Sequence, residues 1–132
     1  MPATLLLDEN RLTTDERIAA VELTGTLAAT VRRYLRANNL SGPVIEMRGP
    51  QRREIHLVAG AGKAARAIEV LRSAGAIVHT DGASIPLPTS SDSMAWGISP
   101  SEARWVPPLV ALAAAVRAAG AVRRTHLGDV AC

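Results

Sequence analysis

The sharpest chemical match in the chain is Gly60-Ala61-Gly62-Lys63-Ala64-Ala65. It fits the G-x-G-x-x-G/A pattern, whose glycines let a pyrophosphate approach a helix N-terminus. The match follows an expected strand and opens an expected helix, and Asp81 stands about twenty residues on, where an acid would meet a ribose hydroxyl. Three features count against it. A hairpin precedes it where a first parallel strand should stand, Asp81 is followed by Gly82 as in a turn, and the remaining chain is too short to complete a doubly wound sheet. A Walker loop is excluded, because Leu57 occupies the place of its first glycine and Ala64 follows Lys63 in place of Ser or Thr. Nucleotide binding at Gly60, Gly62 and Lys63 is therefore the weakest of three functional expectations, and no cofactor is expected.

The other reactive residues form no pattern. His56, His79 and His126 lack the close-spaced pairing of zinc ligands. His56 and His79 would approach each other, with Asp81 nearby, only if their strands were neighbours. No metal is expected. Ser90, Ser91 and Ser93 have no G-x-S-x-G elbow around them, and Cys132 lacks a lipidation context. No pair of carboxylates is held together by spacing. The sequence points away from catalysis, and no catalytic residue is assigned.

Arginine is the remaining chemistry. The doublets Arg32-Arg33, Arg52-Arg53 and Arg123-Arg124, with Arg36 and Arg48, supply guanidinium groups that bind phosphate bidentately. Clustered on one surface, they would give a salt-dependent nucleic-acid footprint. Arg52-Arg53 falls at an expected hairpin tip. Acids are interspersed, at Glu16, Glu22, Glu46, Glu54 and Glu69, and only Tyr34, Trp96 and Trp105 could stack on bases. So few aromatics argue for a double-stranded ligand over a single-stranded one.

The composition bounds these readings. The chain has 132 residues, 48% of them hydrophobic and 20% charged, which suits one globular domain. Fifteen basic residues against twelve acidic ones leave a net charge of +3, and no segment forms a basic arm or an acidic tail. All basic residues but Lys63 are arginine, a codon bias that indicates a GC-rich, bacterial genome. One cysteine excludes an intrachain disulfide. Leu5-Leu6-Leu7 runs at once into Asp8 and Glu9, unlike a signal peptide. The most apolar stretch, 109–122, is shorter than the ~20 residues that span a bilayer. A cytoplasmic protein without membrane contact is expected.

The elements that must position these residues are read from periodicity. Beyond a short N-terminal segment, 1–12, Thr13 and Glu16 have capping-box spacing and open a long helix ending near Asn38-Asn39. Ala20, Leu23, Leu27, Val31, Tyr34 and Leu35 form its apolar stripe. Alternation over 44–48 and 54–59 predicts a hairpin, with Ile45, Met47, Ile55 and Leu57 on one face. Glu46, Arg48, Glu54 and His56 share the other, which is taken as the open face. A second helix spans 63–74 and stops at Gly75. A second hairpin, 76–79 and 83–87, turns at Asp81-Gly82, and Pro86 puts its last strand at an edge. A Ser/Thr/Pro-rich loop covers 88–99. Ser99 and Glu102 form a capping box with Pro100 inside it, and a C-terminal helix runs from about 109 to 123.

The expected fold is an α+β two-layer sandwich over residues 1–132. Its order is helix–hairpin–helix–hairpin–helix, with a four-stranded, mainly antiparallel sheet. That order also occurs in some DNA-binding folds. The first functional expectation is a non-catalytic protein acting through protein–protein contact, as a homo-oligomer or an accessory subunit. Its candidate contacts are Trp96 and Trp105 with Leu109, Leu112 and Val116 on the smooth C-terminal helix. The alternative is double-stranded nucleic-acid binding through Arg32, Arg33, Arg36, Arg48, Arg52 and Arg53.

Overall fold

The computed structural model describes residues 7–8, 11–88 and 93–131. The elements run β1 (Leu7–Asp8), β2 (Arg11–Thr13), β3 (Ile18–Thr24), α1 (Gly25–Ala37), β4 (Val44–Met47) and β5 (Arg53–Ala59). A 3-10 turn (Ala61–Lys63) leads to α2 (Ala65–Ser73), β6 (Ile77–His79), β7 (Ser84–Pro86), β8 (Met94–Ile98), α3 (Pro100–Ala103) and α4 (Leu109–Ala131). The α+β class stands, but the layers number three. A five-stranded antiparallel sheet, in the order β6-β3-β5-β4-β8, carries helices on one face and a small sheet, β1-β2-β7, on the other.

The long first helix is the largest correction. Its first half is strand, and only Gly25–Ala37 is helical. Thr13 lies in β2 opposite Ser84, so it caps nothing. Asp15 instead closes a turn, its Oδ1 accepting from the amides of Arg17 and Ile18 at 2.8 and 2.9 Å. Those two bonds hold the Asp15 carboxyl below the ordinary carboxylate range. From Ile18 to Leu23 every residue of β3 is buried, because helices cover one face and the small sheet the other. A strand buried on both faces loses its alternation and reads like a buried helix segment. Gly25, at φ +59°, makes the sharp passage from β3 into α1 that a side chain would oppose.

The first hairpin is as expected, with Ile45 opposite Ile55 and Glu46 opposite Glu54. The second is not a hairpin. Asp81 and Gly82 both take positive φ, at 58° and 89°, as tight-turn residues do. Yet β6 pairs with β3 in the large sheet, while β7 pairs with β2 in the small one. Thr14 fixes this crossing: its carbonyl accepts from the Gly82 amide at 2.9 Å, and its hydroxyl accepts from Ala83 at 2.9 Å. Pro86 lies on an edge strand, as its missing donor requires. The 88–99 loop is shorter than expected, because β8 extends the large sheet beside β4. Residues 89–92, with Ser90 and Ser91, lie outside the described residues, as does Cys132.

The face taken as open is covered at Glu54 and His56, while Glu46 and Arg48 toward its end stay exposed. Leu23, Val21 and Ala19 stand opposite Glu54, His56 and Val58, so the six share a face. Ala28, Val31 and Leu35 of α1 and Leu109, Leu112 and Val116 of α4 pack over it. Glu54 and His56 are therefore buried. β3 separates β5 from β6, so His56 and His79 do not meet, and a site shared by these histidines and Asp81 does not form. The second core joins Leu12, Ile85 and Leu87 of the small sheet's side to Ile18, Ala20, Ile45, Ile55 and Leu57.

Candidate anion-binding cleft

On α1, Ala29, Arg32, Arg33 and Arg36 follow one another at spacings of three, one and three, which puts them along one stripe beside the buried stripe. The helix therefore offers three guanidinium groups on the side next to β5. Arg52 enters from the chain just before β5. Asn39, Ser41, Ile98, Glu102, Ala103 and Trp105 complete the lining. Together they line an open cleft of about 770 Å³.

Two of the lining arginines, Arg32 and Arg52, are anchored on a buried carboxylate. Glu54 is 1% exposed, and its Oε2 accepts from Arg32 Nη1 at 3.1 Å and from Arg52 Nε and Nη2 at 2.8 and 2.7 Å. Arg32 also reaches Glu46 at 3.1 Å. Gly97 makes room for that second carboxylate, since a Cβ there would come within 2.7 Å of Glu46 Oε2. The other oxygen of Glu54 faces His56 Nε2 at 3.4 Å, and neither of these buried atoms has a hydrogen-bond partner. Burial alone would raise the Glu54 carboxyl, but His56 and the Arg32 and Arg52 guanidinium groups outweigh it and hold it low. Burial also pushes the His56 imidazole down, more strongly than Glu54 raises it, so His56 is neutral near pH 7.

Two arginines are left for a ligand. Arg33 and Arg36 are exposed, and neither pairs with a carboxylate among the described residues. Glu102, also in the lining, is occupied locally: its Oε1 accepts from the Ser99 amide at 3.1 Å while Ser99 Oγ accepts from the Glu102 amide at 3.2 Å. That is the capping box expected from the sequence, and it holds the Glu102 carboxyl below its usual range. Trp105 follows, its indole N–H donating to the Ser41 carbonyl at 2.9 Å. Gly42 packs so closely on Pro107 that a Cβ would stand 2.1 Å from the ring.

The remaining candidates fall elsewhere. Arg53 leaves β5 on the opposite face from Glu54 and pairs with Glu22 at 2.9 Å, so the Arg52-Arg53 doublet is split across the sheet. Arg48 is exposed at the hairpin end, outside the cleft. Trp96 packs on the second core, and Leu109, Leu112 and Val116 are buried in the helical layer. At the Gly-rich turn, the Gly60 and Gly62 amides donate to the carbonyls of Arg17 and Glu16, and the Lys63 amide to Gly60. These three amides are engaged within the protein. No group of three or more His, Cys, Asp or Glu converges among the described residues. Sequence reasoning missed Glu54 as the anchor of two arginines, along with Asn39 and Ser41. The alternation placed Glu54 on the correct face, but the covering of that face rests on β3. The chain matches no protein-family model, no curated protein and no solved structure.

Proposed function

We propose that the protein acts by binding, and that its partner is double-stranded nucleic acid held by its phosphates along the arginine cleft. The observation that carries this reading is the convergence of Arg32, Arg33, Arg36 and Arg52 on one open cleft, with Arg33 and Arg36 free of carboxylate partners among the described residues. Arg32 and Arg52 are held in place by their ion pairs with the buried Glu54. A protein-contact role through the apolar face of α4 has less support, because Leu109, Leu112 and Val116 already serve this chain's own core.

Titration of a labelled mixed-sequence duplex over a range of salt concentrations tests the proposal. Two phosphate contacts predict a log–log salt slope of about −2. The double variant Arg33→Ala, Arg36→Ala should lose about tenfold or more in affinity at low salt and flatten the slope. Arg53→Ala, on the other face of the sheet, should bind like the unaltered protein. Salt-independent binding, or an equal loss from Arg53→Ala, would overturn the proposal.

A further inference from the structure

We infer that Trp105 is a stacking platform for one unpaired base, so that the cleft takes nucleic acid where a duplex ends in a single-stranded overhang. This rests on the proposed function and narrows its ligand. Trp105 is 42% exposed and lines the same cleft as the arginine stripe of α1. Its one polar atom is bonded to Ser41, so the surface left to solvent is aromatic ring. The residue before it is held at φ +65°, a left-handed conformation that non-glycine residues seldom adopt. Arg104 adopts it as the C-cap of α3, and the chain turns there toward Trp105. An exposed indole is thus tied at one end by a hydrogen bond, in a cleft that two unpaired guanidinium groups also line.

The ligand follows from this combination. Guanidinium groups take phosphate and an indole takes the face of a base. Inside a duplex every base face is covered by its neighbours, so only an unpaired or terminal nucleotide presents one. A cleft of about 770 Å³ lies in the range that encloses ligands of nucleotide size. The platform serves one base only: Tyr34 packs against the helical core and Trp96 against the second core, so no track of aromatic rings continues from Trp105. Continuous single-strand binding would need such a track.

The test compares blunt duplex with duplex of the same paired length carrying a short 5′ or 3′ overhang, using the full chain. One of the two overhangs should bind about tenfold more tightly than blunt duplex. Trp105→Leu should reduce it to the blunt-duplex affinity while the salt slope persists, and Trp105→Phe, which keeps a ring but not the Ser41 bond, should retain most of the preference. Equal affinity of the unaltered protein for blunt and overhanging duplex would overturn the inference and leave duplex binding standing. So would a preference that survives in Trp105→Leu. Absence of salt-dependent binding to either duplex would overturn the underlying reading as well.

Discussion

Glu54 sets the geometry of the cleft by holding two guanidinium groups on one buried oxygen, while its other oxygen faces a buried imidazole at 3.4 Å. The acid response of the fold follows from that arrangement. In the unfolded chain His56 titrates near the usual histidine value of about 6.5. In the folded protein burial depresses it, with Glu54 opposing and the Arg32 and Arg52 charges adding to the depression. Below about pH 6.5 the unfolded chain therefore binds more protons than the folded one, and stability present above that pH is lost as the pH falls. Glu54 acts in the same direction at lower pH, since its folded carboxyl is held beneath its ordinary value. Denaturant unfolding should thus show lower stability at pH 5.5 than at pH 7.5, with a slope of at most about 1.4 kcal/mol per pH unit from this one proton. His56→Gln should flatten the loss between those two values and keep the decline near pH 4. A fall of the same size in that variant would assign the effect to other groups.

At the scale of elements, the cleft depends on how the segment after α3 lies against the segment before β4. Gly42 is buried beneath Pro107, and the Pro107 carbonyl accepts from the Ala59 amide at 2.9 Å, which ties this segment to the end of β5. An alanine at 42 would have to displace Pro107, because its Cβ would stand 2.1 Å from the ring. Gly42→Ala should therefore destabilise by about 1–3 kcal/mol, the usual range for an overpacked site, as measured by denaturant midpoint. Wild-type stability in that variant would show that the two segments are free to separate. Local signals of this kind divide into those visible in the sequence and those hidden from it. The Ser99–Glu102 capping box, the stop at Gly75 and the pairing of β4 with β5 were readable, because each depends on neighbours in the chain. β3 was not readable, since burial on both faces removes the alternation that marks a strand. The partner of β7 was hidden for a related reason: Asp81-Gly82 has hairpin-turn backbone geometry, and only Thr14, far away in sequence, directs the chain into a second sheet. Four of the six arginines proposed from sequence reach the cleft. Arg53 departs because strand alternation sends it to the other face from Glu54.

For the whole molecule, the decisive relation is between α4 and the face that carries the arginines. The large sheet has a core on each side, and on the helical side α4 packs against both α1 and α2. Ala113, Ala115 and Ala119 let it approach closely, and Leu109, Leu112 and Val116 fill the space between the helices and the sheet. The smooth apolar face that resembles a docking surface in the sequence is thus what fastens α1, with its basic stripe, over β5. The two roles make opposite demands on one substitution. If Leu112 is core, Leu112→Ala leaves a cavity and should cost about 2–5 kcal/mol in denaturant unfolding, with no change in sedimentation. If Leu112 is instead a contact for a second molecule, truncation should leave the unfolding free energy of the monomer nearly unchanged and shift the association equilibrium. The 1% exposure of Leu112 within a single chain predicts the first result. The second would mean that α4 leaves this position in solution, and α1 would then lose the support that aligns Arg33 and Arg36 with the cleft.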